Sequence, residues 1–175
     1  MFDSVNIYFQ DEARFGMKTD IGRMITARGI APKVKYQHKF KNTYLYGAYS
    51  PINGDSVVLE IENVNKEIFF QYLKQLSEHK PNELKIVVIA NAGFHSTKNM
   101  KIPENIKLLR IPPYSPELNP CEQIWAYIKK RFKNRVYENL EKLKQWLKKF
   151  VENMSQEIIK SIVSNHHYLN AFYAK

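Results

Sequence analysis

Apolar and polar residues alternate over Val5-Asn6-Ile7-Tyr8-Phe9, and with its β-forming side chains this stretch predicts a strand that delivers Asp11 and Glu12 at its end. Arg23–Ala27 and Thr43–Tyr49 predict two more strands. The turn Asn53-Gly54-Asp55 leads into a fourth over Val57–Ile61, giving an antiparallel meander. The period then changes: Ile68, Phe69, Tyr72, Leu73 and Leu76 recur at helical spacing behind Asn65, a residue suited to N-capping. Leu84–Ile89 is a short, nearly continuous β-branched run, the composition of a central strand buried on both faces. Ile106–Ile111 predicts another strand before a proline loop. The remainder is helical, with one apolar stripe of Leu118, Cys121, Trp125, Ile128 and Phe132 and a second of Leu140, Leu143, Leu147, Phe150, Val151 and Met154. No low-complexity linker or repeat divides this order, so residues 1–175 read as one α/β domain.

Composition narrows the classes. At 175 residues and 44% hydrophobic the chain can bury its own core, and no apolar run is long enough to span a bilayer, so a soluble protein without a membrane partner is expected. The start, Met1-Phe2-Asp3-Ser4-Val5-Asn6, lacks the basic and apolar regions of a secretion signal. A single Cys121 cannot form an internal disulfide and suits a reducing cytoplasm, where it is most simply a small core residue. The formal charge of +10, from 27 Lys plus Arg against 17 Asp plus Glu, makes a polyanion a candidate partner through phosphate neutralisation.

Candidate chemistry concentrates in Ile111-Pro112-Pro113-Tyr114-Ser115-Pro116-Glu117-Leu118-Asn119-Pro120-Cys121-Glu122-Gln123-Ile124-Trp125, where a stiff proline loop brings Glu122 to the start of a helix. Asn119, Pro120 and Glu122 also read as N-cap, N1 and N3, close to a capping box. Capping alone would account for Glu122, and a ligand role is compatible with it, because the residue lies beside the stripe of Cys121 and Trp125. Glu117 falls in the exposed loop. An Asp11-Glu12 pair, taken by itself, is an ordinary solvated turn. His95 reads either as a loop histidine satisfied by backbone or as a group that orients a phosphate or an acid. His38, His79, His166 and His167 show no metal-ligand spacing.

Basic residues form two sets. Lys129, Lys130, Arg131, Lys133 and Arg135 follow Glu122, with Lys142, Lys144, Lys148 and Lys149 on the next helix; these read first as solvated helix faces. Lys33, Lys35, Lys39 and Lys41 are interleaved with Tyr36, His38 and Phe40, a mixture suited to phosphate contacts and to stacking on unpaired bases.

The proline-loop segment resembles the P-Y-S-P-x-L-N-P-x-E-x-x-W signature of DDE transposases, in the mariner-related superfamily that includes many bacterial insertion sequences. Tyr8-Phe9-Gln10-Asp11-Glu12-Ala13-Arg14-Phe15-Gly16 is similar to the first acidic motif of the bacterial branch. Ile89-Ala90-Asn91-Ala92-Gly93-Phe94-His95 is similar to the pattern D-N-A-x-x-H, with Ala90 in the place of the Asp. Thirty-one residues separate Ala90 from Glu122, near the family's spacing between its second and third acids. The resemblance implies a ribonuclease H-like fold, a mixed five-stranded sheet flanked by helices, with a metal site of Asp11, residue 90 and Glu122. Glu12, Asn91 and His95 are its accessory candidates, and Asp11 is preferred to Glu12 as the ligand.

Such sites hold two divalent ions, Mg²⁺ or Mn²⁺, ~3.5–4 Å apart, one at the attacking and one at the leaving oxygen. They serve DNA strand cleavage and strand transfer at transposon ends and target DNA. A methyl group binds no metal, so this chain is expected to be inactive or nearly so, whether Ala90 was introduced or inherited; Asn91 would offer only a neutral amide oxygen. Sequence-specific end recognition by a helix-turn-helix module is not expected within 1–175 and would fall to another polypeptide. Pairing of two ends commonly uses a homodimer, and a bacterial, nucleoid-associated cytoplasmic location follows. The rival expectations are a ribonuclease H-like nuclease that cuts without strand transfer, and a non-catalytic DNA-binding remnant for which Ala90 is native.

Overall fold

One long strand organises the sheet. The computed structural model describes residues 1–90, 101–112 and 115–164. Among them run β1 (Ser4–Gly16), β2 (Asn42–Tyr49), β3 (Ser56–Ile61), α1 (Lys66–Glu78), β4 (Glu83–Ile89), β5 (Ile106–Arg110), α2 (Cys121–Phe132), α3 (Leu140–Glu152) and α4 (Gln156–Val163), with a 3-10 turn, Pro116–Leu118, ahead of α2. The sheet order is β3-β2-β1-β4-β5. β1, β2 and β3 form the antiparallel meander, while β4 adds parallel to β1 and β5 parallel to β4. This is the mixed five-stranded sheet with flanking helices that the pattern implied.

Alternation along β1 explains the two layers of core, since successive side chains point to opposite faces. Ile7, Phe9, Ala13 and Phe15 pack with Cys121, Ile124, Trp125 and Ile128 of α2, Leu143 and Leu147 of α3, and Ile159 and Val163 of α4. Tyr8 faces the other way, joining Tyr46, Val87, Ile89 and Ile106 against Phe69, Tyr72, Leu73 and Leu76 of α1. Asn65 caps α1 as expected, its side chain accepting from the Ile68 amide at 2.8 Å. Asn139 and Ser155 do the same for α3 and α4. In the 53–55 turn Gly54 takes φ +74 and passes against the backbone of Gln156, where a side chain would collide.

Four expectations change. Asp11 does not end a strand: β1 continues to Gly16, because Ala13 and Phe15 carry the buried alternation past the polar residues. The centre of the sheet is β1, with β4 beside it. The expected strand at Arg23–Ala27 is absent, since those residues are exposed, Ile25 fully so, and have no sheet face to bury. Leu118 leaves the predicted stripe for the 3-10 turn and is exposed.

The chain between β1 and β2 is instead an irregular arm whose two limbs are tied by Met17 N to Lys41 O at 2.9 Å and by paired bonds between Thr19 and Gln37. Asn134, at φ +60, fastens the arm to the end of α2 by bonding the amide of Gly22 at 2.9 Å and the carbonyl of Asp20 at 2.8 Å.

Candidate active site

The site begins where β1 loses one neighbour. β1 and β4 pair in register from Ser4–Glu83 to Phe9–Val88. Two residues further along the two strands stand Asp11 and Ala90, the latter just past the end of β4 and half-buried. Among the described residues the partner of β1 beyond Phe9 is β2, and Asp11 sits opposite Gly47. That glycine is required by packing, since a Cβ there would lie 2.5 Å from the ring of Tyr49. Tyr49 packs edge-on against Trp125 with ring centroids 5.7 Å apart, so the floor beneath Asp11 is aromatic.

Glu122 is brought to the same place because the start of α2 hangs on β1. The Cys121 thiol donates to the Phe9 carbonyl at 3.0 Å, and Asn119 Nδ2 donates to the Gln10 carbonyl at 3.2 Å. Asn119 Oδ1 accepts from the Cys121 amide at 3.1 Å, but the N-cap position falls on Pro120 and not, as expected, on Asn119. The helix itself opens at Cys121 after Pro120, which places Glu122 one position nearer the N-terminus than a capping box needs, and Glu122 is exposed. One turn on, buried Trp125 donates its indole N–H to Asp11 Oδ2 at 3.0 Å. Glu12 points to the opposite face: Gln10 Nε2 donates to it at 3.4 Å, and its charge acts on the Tyr46 hydroxyl in the α1 layer.

Electrostatics mark Asp11 as unusual. Burial, then the neighbouring charge of Glu12, push its carboxyl up to about 7, against the opposing effects of the Trp125 and backbone hydrogen bonds; Glu122 adds to the rise. Burial and the charges of Asp11 and Glu122 likewise raise the Cys121 thiol. Among the described residues, the charges that act most on Asp11 are thus those of two other carboxylates, Glu12 and Glu122.

A groove of about 690 Å³ opens from Glu122 along α2. It is walled by Trp125, Ala126, Lys129, Lys130 and Lys133 on the helix and by Asp20, Gly22 and Arg23 on the arm. Of the predicted basic residues, Lys129, Lys130 and Lys133 thus share a wall with Glu122. Arg131 and Arg135 do not line it; they lie over the rings of Tyr127 and Trp146. Lys33, Lys35, Lys39 and Lys41 are exposed on the returning limb of the arm and are not among the groove's walls. Asn91 and His95 lie outside the described residues, as do Pro113 and Tyr114 of the proline loop.

Sequence reasoning missed Trp125 as the donor to Asp11, Gly47 as the residue that makes room for Tyr49, and the arm as a wall. A tryptophan on a buried stripe beside a candidate ligand was the available signal, because a buried indole N–H needs an acceptor.

Residues 6–144 match the family described as DDE superfamily endonuclease. The chain belongs to that family. It is 31% identical over 100 residues to the uncharacterized protein y4pE/y4sA of Sinorhizobium fredii, a stretch covering 56% of this chain and 74% of that one. The fold is shared with Mos1 transposase: the Mos1 strand transfer complex superposes with a TM-score of 0.67 at 18% identity, covering 97% of this chain and 53% of the Mos1 chain. The Mos1 mariner paired-end complex with Mn gives 0.65 at 18% identity over 95% of this chain and 53% of that one. This DDE-family chain thus spans about half the length of the Mos1 chains it matches, and its fold is the ribonuclease H-like one expected from sequence.

The described residues by themselves do not fit a pair of divalent ions. Asp11 and Glu122 supply two carboxylates, the residue that follows β4 beside Asp11 is Ala90, and no group of three His, Cys, Asp or Glu among the described residues is placed to hold a metal.

Proposed function

We propose that this chain is the catalytic domain of a DDE transposase from the bacterial insertion-sequence branch, with its second acidic ligand lost at Ala90. The observation that carries this reading is the convergence of Asp11, Ala90 and Glu122 at one end of the β1–β4 pair. Asp11, its carboxyl pushed up to about 7 by burial and by the charges of Glu12 and Glu122, is the kind of acid that a metal ion would complete.

With Asp at position 90 the site would hold Mg²⁺ or Mn²⁺, hydrolyse the phosphodiester at element ends and join the freed 3′-hydroxyl to target DNA. As it stands, the chain binds DNA through Lys129, Lys130 and Lys133 beside Glu122, helped by Arg131, Arg135 and the arm lysines Lys33, Lys35, Lys39 and Lys41, and cuts it little or not at all. Recognition of the terminal repeats by a separate polypeptide, pairing of two ends by a homodimer and a place in the bacterial nucleoid belong to the same reading. Glu12 has no part in the metal site, because it faces the α1 layer. The missing carboxylate favours one rival, a DNA-binding remnant without catalysis.

The test compares the chain with Ala90→Asp for Mn²⁺-dependent nicking and strand joining on pre-cut element-end DNA. Ala90→Asp is expected to exceed the unaltered chain by more than the roughly 10–100-fold typical of groups that merely support a ligand. Cleavage without joining would move the assignment to a nuclease. Silence of Ala90→Asp with retained DNA binding would move it to the remnant.

A further inference from the structure

The two arginines that the Glu122 groove leaves out form a surface of their own. Arg131 stacks over the Tyr127 ring, its guanidinium carbon 3.7 Å from the centroid, and Arg135 lies 5.1 Å over the ring of Trp146. Trp146 and Phe150 of α3 stack with centroids 5.1 Å apart, and Tyr127 approaches Phe150 at 6.1 Å, so α2 and α3 share one aromatic ledge. Lys149 lines the shallow cavity on this ledge, about 340 Å³, whose walls contain no carboxylate.

Each guanidinium is held by one bond to the backbone, Arg131 Nη1 to the Tyr127 carbonyl at 3.2 Å and Arg135 Nε to the Arg131 carbonyl at 2.7 Å. Neither forms an ion pair among the described residues. An arginine fixed flat on a ring keeps its remaining N–H groups in a fork suited to phosphate oxygens and gives up little freedom on binding.

At ~100° per residue, Tyr127 and Arg131 lie roughly 150° round α2 from the mean direction of the residues that wall the Glu122 groove, with Lys130 between the two faces. The groove and the ledge therefore face different directions. We infer that the Arg131–Arg135–Lys149 ledge is a second phosphate-backbone surface, which grips a DNA segment separate from the one beside Glu122. This inference rests on the DNA-acting reading above. It assigns the arginines to a different duplex from the groove lysines. The contact is to backbone rather than bases, because the ring faces are already covered by guanidinium groups.

Two measurements test it. A short random-sequence duplex is titrated against the full chain at several salt concentrations, with stoichiometry read by sedimentation. The variants are a ledge set (Arg131→Gln, Arg135→Gln, Lys149→Gln), a groove set (Lys129→Gln, Lys130→Gln, Lys133→Gln) and both together. The unaltered chain is expected to take two duplexes at low salt and each set one. The ledge set should also flatten the slope of log affinity against log salt by about 2–3 units, near 0.9 for each phosphate that is no longer neutralised.

Because truncating stacked arginines can disturb packing, the second measurement uses the unaltered chain: DNA should protect Arg131 and Arg135 from an arginine-selective dicarbonyl reagent, read by mass spectrometry, and should still do so in the groove set. Unchanged modification in the presence of DNA, or a ledge set that binds as the unaltered chain while the groove set fails, overturns the ledge and leaves the proposed function standing. Native-like binding by both sets together overturns the DNA contacts of the proposed function as well.

Discussion

Two groups of carboxylates lie on opposite faces of β1, and their surroundings treat them in opposite ways. On the α1 face, buried Asp55 accepts from Lys80 at 2.7 Å and lies 2.9 Å from His79 Nε2. The Tyr8 hydroxyl stands within hydrogen-bond distance of both acids, 2.7 Å from Asp55 and 2.8 Å from Glu83. Fully buried Lys85 lies 3.7 Å from the Glu83 carboxylate and donates to the Lys80 carbonyl at 2.9 Å. Burial alone would raise the Asp55 carboxyl, yet the bonds from Lys80, Tyr8 and His79 outweigh it and hold the group down at about 2. On the α2 face, Asp11 has burial and two acidic neighbours, one indole donor, and a carboxyl pushed up to about 7. Asp55 has its counter-charges beside it, whereas the charges that act most on Asp11 among the described residues are those of other acids.

The comparison breaks most visibly at Asp55. Asp55→Asn should lower stability by about 2 kcal/mol at neutral pH, below the 3–5 kcal/mol of a wholly buried pair because Lys80 and His79 keep partial access to water. The sign with pH follows from a depressed folded value. The stabilisation is present above the unfolded carboxylate range near 3.8 and is lost as pH falls toward about 2, so Asp55→Asn should flatten the acid limb of the stability curve over that window. Thermal melts from pH 7 to pH 2 read both effects.

At Asp11 the opposite sign is expected. Ionising a carboxyl whose folded value is raised costs stability, fully so above about 7, and Asp11→Asn should therefore stabilise the chain at pH 8 by on the order of 1–2 kcal/mol. A loss of stability in Asp11→Asn would show that the carboxylate is structural after all. Smallest is Trp125→Phe, which keeps the ring packed on Tyr49 and removes the donor to Asp11. It should cost about 1 kcal/mol of stability, while an Ala90→Asp background should lose about tenfold of its metal-dependent nicking.

How far the sequence carried the structure depended on whether an element buries a face. The strands around Ile7, Leu45, Val58, Val87 and Ile106 and the helices through Leu73, Ile128 and Leu147 were legible, because alternation or helical spacing records the side that meets the core. The arm was not. Ile25 and Ile30 look like strand formers but are exposed, and the arm is fixed by backbone bonds to Gln37 and Asn134 that leave no periodic trace.

The candidate site was readable as a set of positions, since Asp11, Ala90 and Glu122 each sit in a segment that resembles a family motif. Its electrostatics were less so, because they depend on which face of β1 each acid occupies. Parity along the strand separates Asp11 from Glu12, and the thiol and amide bonds of Cys121 and Asn119 place Glu122 beside the first and not the second. The basic residues of α2 were found as one set and fold as two, because one helix shows different flanks to the arm and to α3.

The central claim is that Asp11 and Glu122 form a divalent-metal site left incomplete by Ala90, and calorimetric titration of Mn²⁺ into the chain and into Ala90→Asp tests it most directly. The account predicts weak binding or none to the chain as it stands, tight binding to Ala90→Asp, and loss of that binding when Asp11→Asn or Glu122→Gln is added. Equal binding by the chain and by Ala90→Asp, or tight binding that survives Asp11→Asn, would contradict it.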